Sequence, residues 1–442
     1  MLYHLFDHFQ EWDLPGQGLW QYLSFRAMLA SVTAMFIAVF GGKKVIRWLQ
    51  KKQIGETIRD LGLEGQMEKK GTPTMGGIII FMAIMISALL FADLTNIYII
   101  LLFLTTIWFF LIGFTDDYIK VFKHDKKGLS EHAKLAGQLA FGLAIGLAVC
   151  FSDQIVVREE TQLPETAVVA AQAGAQFSAN DSETILLEEV MSEETPVAKT
   201  KVDVVKSTKT TIPFVKDHEF DYAWLSPFKG KLGWYTKWAI YVLMIVIVVA
   251  ACSNGTNLTD GMDGLAGGTS AIVGVVLAIF AWLGGNIINS EYLNIMYIPG
   301  SGEIVVFMAA FVGALIGFLW HNSYPAQVFM GDTGSLMLGG IIGVCAILIR
   351  KELLVPVLCG IFFVESLSVI IQRTYFKITK RKYGVGKRVF KMAPLHHHFQ
   401  KEGIPALIQS PAHAVPEAKI VVRFWIISVI LAVATIAMLK IR

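Results

Sequence analysis

Apolar runs of bilayer length recur along this chain, separated by polar or basic links. A helix needs about 20 apolar residues to cross the hydrocarbon core. On that measure ten stretches qualify: 21–41, 76–92, 97–115, 133–151, 236–253, 265–284, 304–320, 335–349, 353–372 and 421–440. Between the fourth and fifth the pattern breaks. Residues 152–222 carry fourteen acidic and six basic side chains, and Val202 and Val204, then Thr210, Ile212 and Phe214, alternate with polar neighbours, which predicts a short β-hairpin. The chain therefore reads as one integral membrane domain in two runs, 1–151 and 236–442, flanking an acidic insert at 152–235.

Composition agrees with the pattern. Hydrophobic residues make up 54% of the 442 and charged residues 17%, with a mean hydropathy of +0.56, which excludes an ordinary soluble enzyme. The predicted fold class is an all-α polytopic membrane protein. A net charge of +3 gives no reason to expect a nucleic-acid partner. The four cysteines, Cys150, Cys252, Cys345 and Cys359, lie in or at the ends of apolar runs and lack metal-ligand spacing, so they are read as core residues.

Charge placement gives an orientation. Lys and Arg collect in 42–74, 118–132 and 374–420, whereas the first twenty residues and the links 92–96 and 285–303 have none. Because basic loops stay in the cytoplasm, both termini and the insert are expected outside. Arg350 and Lys351 are the one exception. No basic region precedes the first span, which is read as an anchor rather than a cleaved signal.

Three acidic segments fall on the predicted cytoplasmic face. Asp116 and Asp117 end the third apolar run, Asp260 and Asp263 lie in Asn257-Leu258-Thr259-Asp260-Gly261-Met262-Asp263-Gly264, and Asp332 lies in Phe329-Met330-Gly331-Asp332-Thr333-Gly334-Ser335. Any one of them could be a solvated helix end, but their agreement on one face points to a site. Carboxylates there supply the hard oxygen ligands that Mg²⁺ prefers when it is shared with phosphates. Lys70, Lys120, Lys127, Lys134 and His396 to His398 supply positive charge, and cationic clamps of this kind lower the barrier to attack of one phosphate on another. Neighbouring histidines on an extended chain point alternately, so phosphate or hydroxyl contacts are expected of them rather than one shared metal. No Walker-type loop or dinucleotide fingerprint is present, and Phe329 is a candidate platform for a base. Glu365, inside the ninth span, is expected to face other helices or a polar cavity.

The ordered set Gly71-Thr72-Pro73-Thr74-Met75-Gly76-Gly77, Asp116-Asp117, the 257–264 and 329–335 segments, His396-His397-His398 and Val422-Arg423-Phe424-Trp425-Ile426-Ile427-Ser428 resembles the phospho-N-acetylmuramoyl-pentapeptide transferase family. The resemblance covers nearly the whole chain. It implies a ten-helix enzyme of the bacterial inner membrane with its active site facing the cytoplasm. Such an enzyme moves phospho-MurNAc-pentapeptide from UDP-MurNAc-pentapeptide to undecaprenyl phosphate, giving lipid I and UMP with Mg²⁺, and it forms a homodimer. Carried over residue by residue, Asp332 is the metal ligand and Asp116 or Asp117 the base or lipid-phosphate activator. Lys134 lies near the phosphates, and His396, His397 and His398 form the histidine motif. The nucleoside and diphosphate pocket takes Lys70, Asn257, Asp260, Asp263, Asn322 and Phe329. The insert 152–234 and the stretch Ile404 to Glu417 are longer than the family pattern.

Three other readings compete, of which a non-catalytic lipid-binding scaffold fits least, since it needs basic patches but not five loop carboxylates. A sister transferase that loads UDP-N-acetylhexosamine 1-phosphate onto the same lipid shares the acidic loops, but the His396-His397-His398 run with Pro394 before it argues against that branch. An ion-coupled transporter needs carboxylates near the midplane, where only Glu365 is placed.

Overall fold

The computed structural model describes residues 1–8, 17–52, 71–123, 125, 127–162, 200–213 and 219–439. Within them the long helices are α1 (Leu23–Lys51), α2 (Gly77–Phe91), α3 (Ile97–Phe122), α4 (Glu131–Phe151), α5 (Gly230–Thr259), α6 (Leu265–Gly284), α7 (Ile304–Asn322), α8 (Gly331–Leu348), α9 (Gly360–Tyr383) and, after the short α10 (Leu395–Gln400), α11 (Glu417–Met438). Nine of the ten expected spans each overlap one of these helices, while the expected span 353–372 is divided between Val355–Leu358 and α9.

Eight of the helices are long and apolar enough to cross a membrane, and the α9 region adds a ninth if its bent pair counts as one span. That pair, Glu352–Leu358 and Gly360–Tyr383, bends by 76°. Helix α2 has 15 residues and reaches about 22 Å at 1.5 Å per residue, short of a hydrocarbon core of roughly 30 Å.

Helix α8 is the centre of one half of the bundle, packed between α3 and α5, while α7 packs on α1, α2 and α6. Apolar residues cover α8 on nearly every side, as expected of a helix enclosed by other helices rather than by lipid. The peripheral helices α1, α4 and α11 instead leave rows of large apolar side chains exposed, among them Leu139, Leu143, Leu147, Ile426, Ile430 and Val433.

Local signals set the helix starts. Asn96 Oδ1 accepts from Tyr98 N at 2.9 Å, and Ser130 Oγ accepts from Ala133 N at 3.2 Å, each satisfying an N–H that the first turn leaves open. Three of the four cysteines are buried and all four are free.

Two antiparallel ladders replace the single expected hairpin. Strand β1 (Val157–Gln162) pairs with β2 (Thr200–Val205), and β3 (Lys209–Thr211) pairs with β4 (Glu219–Asp221). The alternation read across 202–214 as one hairpin thus spans strands of two different ladders, because Lys206 to Thr208 end the first before Lys209 opens the second. Phe214 lies outside the described residues.

The second ladder seals the end of α8 opposite to Asp332, and there it explains Arg350 and Lys351. Thr211 N and Thr210 Oγ1 both donate to Arg350 O at 3.1 Å, and Lys351 Nζ donates to Thr211 Oγ1 at 2.6 Å. Arg350 donates to the Tyr241 hydroxyl, and Tyr222 OH donates to Glu352 Oε1 at 3.4 Å. Both cations are buried under this cap and are part of its packing. They carry no weight as a loop signal.

Candidate active site

Helices α3 and α8 meet backbone to backbone where their acidic residues lie. A β-carbon on Gly113 would fall 2.1 Å from Asp332 O, and one on Gly77 would fall 2.2 Å from Gly334 N. No side chain fits at either position. Small residues at such crossings let helices approach to van der Waals contact of their main chains.

Helix α3 continues to Phe122, so Asp116 and Asp117 sit within the helix rather than at its end, where the sequence had suggested the apolar run stopped. Being adjacent, they point about 100° apart around the axis and take different partners. Asp117 reaches the first turn of α8: Oδ1 accepts from Asp332 N at 3.2 Å, and Oδ2 accepts from Thr333 N at 2.8 Å and Thr333 Oγ1 at 2.6 Å. It caps a helix to which it does not belong, and an anionic cap also suits the positive end of the helix dipole.

Asp116 turns instead to the lysines. Its Oδ1 accepts from Leu129 N at 2.7 Å and lies 2.9 Å from Lys134 Nζ, while Oδ2 lies 2.6 Å from Lys120 Nζ. Asp332 shares both cations, with Oδ2 at 2.5 Å from Lys134 Nζ and 3.2 Å from Lys120 Nζ. Its other oxygen, Oδ1, accepts from Asn257 Nδ2 at 2.8 Å, and that amide also donates to Ser335 Oγ at 2.9 Å. Asn257 belongs to the last turn of α5, so three helices converge on Asp332. One ligand atom from each of Asp116, Asp117 and Asp332 falls within 4.8 Å of the others. Asp116 Oδ2 is buried without a well-aligned hydrogen bond. Hard oxygen donors crowded this closely suit a small divalent cation.

A second group lies around the turn that follows α5. Asp260 is the C-cap of α5. Asp263 Oδ2 accepts from Ala326 N at 3.0 Å, while Asn322 Oδ1 accepts from Gly264 N at 3.0 Å and Asn322 Nδ2 donates to Val328 O at 2.8 Å. Asp263 and Asn322 are buried and tie the 260–264 turn to the 322–328 loop. Phe329, half-buried, donates its N–H to Pro73 O at 2.8 Å and accepts from Gly76 N at 2.8 Å, which joins that loop to the Gly71–Gly77 segment.

The histidines do not act as a row. They lie on α10 rather than on extended chain, which replaces the expected alternation with a helical one. His396 and His398 are buried and His397 is half-buried. His398 Nδ1 accepts from Lys391 N at 3.0 Å, so its proton is on Nε2, which faces Ser410 O at 2.8 Å. Burial and the nearby Lys391 charge lower its pKa below the usual value. A depressed histidine contributes stability that is full above its unfolded pKa and lost as pH falls, so this loop favours neutral His398. His397 Nδ1 stands 2.9 Å from Gln400 Oε1, Gln400 Nε2 donates to Glu417 Oε2 at 3.3 Å, and Glu417 Oε1 accepts from Asp263 N at 2.8 Å. That chain of contacts links the histidine helix to the acidic turn.

Of the lysines expected here, Lys120 and Lys134 reach the carboxylates, Lys127 is exposed and forms none of the described ion pairs, and Lys70 lies outside the described residues. Thr333 and Ser335 lie inside the 329–335 segment but were given no role there, and Gln400 and Glu417 had no motif of their own to single them out. Gly113 did have a signal, a glycine three positions before Asp116 in an otherwise bulky apolar run.

Comparison with known proteins gives the same direction. The chain matches the model of glycosyl transferase family 4 over residues 200–350 and the phospho-N-acetylmuramoyl-pentapeptide-transferase signature 1 over residues 69–81. Proteins named phospho-N-acetylmuramoyl-pentapeptide-transferase are 54% identical in Parabacteroides distasonis, 51% in Porphyromonas gingivalis and 49% in Flavobacterium psychrophilum, each over 100% of both chains. Identity at this level from end to end means that the chain belongs to the phospho-N-acetylmuramoyl-pentapeptide-transferase family.

Proposed function

We propose that this protein transfers phospho-MurNAc-pentapeptide from UDP-MurNAc-pentapeptide to undecaprenyl phosphate at the cytoplasmic face of a bacterial inner membrane, giving lipid I and UMP. The observation that carries the reading is the convergence of Asp116, Asp332, Lys120 and Lys134 at one end of the bundle, in a chain that matches transferases of that name over its full length. Sidedness rests on charge. The basic residues described in 42–52, 118–132 and 374–420 flank this end, and the strands Lys209–Thr211 and Glu219–Asp221 lie at the other, so the positive-inside rule favours a site in the cytoplasm.

In the reaction an oxygen of the lipid phosphate attacks the phosphorus that carries the sugar. A new P–O bond forms, the bond from that phosphorus to the bridging oxygen breaks, and the bridging oxygen leaves on UMP with the electron pair. At neutral pH a phosphate monoester is already largely ionised, its second pKa being about 6. The attacking oxygen therefore needs no strong base, and direct displacement is favoured.

Asp117 is occupied with the first turn of α8, which leaves Asp116 as the carboxylate positioned near the incoming phosphate. Asp332, with Asp116 beside it, would hold Mg²⁺, which supplies charge neutralisation on the phosphates when bound. Lys120 and Lys134 offset the anionic charge that remains, and Asn257 fixes the rotamer of Asp332. Asp260, Asp263, Asn322 and Phe329 frame the side on which the nucleoside would lie.

Glu365 speaks against the transporter reading. The carboxylate that the sequence placed near the midplane is engaged by the backbone of His396, and none of its hydrogen bonds or ion pairs among the described residues involves a second carboxylate that could relay a proton.

The test is UMP release by purified protein given undecaprenyl phosphate and either UDP-MurNAc-pentapeptide or UDP-GlcNAc, with and without Mg²⁺, beside Asp332→Asn. Release with the muramyl substrate and Mg²⁺ alone, lost in the variant, supports the reading. Release with UDP-GlcNAc alone moves the protein to the sister branch, and no release with either refutes the transferase assignment.

A further inference from the structure

Glu365 is fully buried in α9, where an unpaired carboxylate would cost several kcal/mol. The described polar partners of its carboxylate all belong to one residue. His396 N, an open N–H in the first turn of α10, donates to Oε1 at 3.1 Å and to Oε2 at 3.3 Å. Oε2 also stands 3.2 Å from His396 Nδ1, with the ring turned off the hydrogen-bond line. A carboxylate at that distance favours the tautomer with its proton on Nδ1. The lone pair is then left on Nε2.

Nε2 is buried and has no hydrogen-bond partner among the described residues. It faces the acidic turn: a β-carbon on Gly261 would fall 2.2 Å from His396 Nε2 and 3.2 Å from His397 Nε2. His397 has the same tautomer for a separate reason. Glu417 takes the Gln400 amide hydrogens, so Gln400 Oε1 faces His397 Nδ1 and that nitrogen must donate. Two imidazoles with ring centroids 4.2 Å apart thus turn their Nε2 atoms toward Gly261.

We infer that Glu365 is a positioning residue for substrate recognition. It holds His396 so that Nε2 acts as a hydrogen-bond acceptor at the Asp260–Asp263 turn, suited to a hydroxyl or amide N–H of the sugar or peptide rather than to a phosphate oxygen. A lone pair directed at an anion would repel it, whereas an N–H or O–H donor satisfies the orphaned nitrogen. The inference deepens the proposed transferase reading and rests on it for the identity of the substrate.

The experiment compares Glu365→Gln, His396→Gln and the double variant by KM and kcat in UMP release, and by direct calorimetric binding of UDP-MurNAc-pentapeptide. A carboxamide at 365 still accepts from His396 N but presents its NH₂ to Nδ1, which moves the imidazole proton to Nε2 and turns the acceptor into a donor. The expected result for Glu365→Gln is an about tenfold higher KM and Kd for the nucleotide substrate, with the KM for undecaprenyl phosphate and the melting temperature unchanged. The double variant should be no worse than His396→Gln alone. Unchanged constants in Glu365→Gln overturn the inference, and so do losses that multiply in the double variant.

If Glu365→Gln fails to fold, Gly261→Ala serves instead. Its methyl group displaces the turn from Nε2 and should raise the same KM, and an unchanged KM again overturns the inference. Wild-type protein that binds the nucleotide without releasing UMP would refute the transferase reading while leaving the Glu365 test intact through binding. Wild-type protein that does neither refutes both.

Discussion

Lys134 Nζ stands 2.5 Å from Asp332 Oδ2 while Asp332 Oδ1 is held by Asn257, so the carboxylate that should meet a cation is gripped from both sides before substrate arrives. A phosphate bound next to it would gain the same ammonium. Removing one preorganised donor of this kind costs on the order of 10²–10³ in turnover. Lys134→Met should lose about that much UMP release, and Lys134→Arg should recover part of it, since the charge returns without the compact geometry.

The two adjacent aspartates should separate in their effects. Asp117 accepts three hydrogen bonds from α8, and Asn in its place loses the charge and one acceptor oxygen. Asp117→Asn is expected to lower unfolding stability by about 1–3 kcal/mol, seen as a lower melting temperature in detergent. Asp116→Asn should leave the melting temperature near wild type and abolish most turnover. Equal melting losses in both variants would contradict this division.

Gly113→Ala tests the helix contact. The added carbon meets Asp332 O at 2.1 Å, so α3 and α8 must move apart by more than a side-chain adjustment allows. A displacement of about 1 Å at reacting groups is enough to cost roughly 10²-fold. Turnover should fall by about that factor even though residue 113 touches no substrate, and a variant with normal turnover would show that the close approach is dispensable.

At the opposite end, pH reports on the hairpin cap. Burial pushes the Lys351 ammonium down to about 8 from 10.5, with Glu352 opposing the shift. The unfolded chain therefore binds more protons between those values, and stability must rise as pH climbs from 8 to 10.5, with the penalty at its full size below 8. The window is worth about 3 kcal/mol. Wild type should show a rise in melting temperature between pH 7.5 and 10 that Lys351→Met lacks. Parallel curves for the two would remove Lys351 as the cause.

How much of this was legible beforehand depends on the range of the signal. The apolar runs marked where helices form because hydrophobicity is a local property, though one run is broken by a 76° bend and another is too short to span, and Asp116, Asp332, Lys120 and Lys134 could be grouped by the face on which they were expected. Whether Asp116 or Asp117 faced the lysines could not be read, because that depends on how α3 is rotated against α8. The histidine run misled for the same reason. On a short helix, His398 turns inward to Lys391 and Ser410, and only His396 and His397 face the acidic turn. Arg350 and Lys351 looked like an orientation error until the hairpin over them was in place. Long-range pairing of a loop with a helix end leaves no periodicity to detect.

The cap formed by Thr210, Thr211, Tyr222, Tyr241, Arg350 and Glu352 also bears on insulation. A bundle with carboxylates and lysines at one mouth is a half-built proton wire, and a membrane that stores energy as an ion gradient does not tolerate the other half. The second ladder closes the far end of α8 with hydrogen-bonded polar groups, so the buried Arg350 and Lys351 are set apart from the charged mouth at Asp332 by the whole length of an apolar helix.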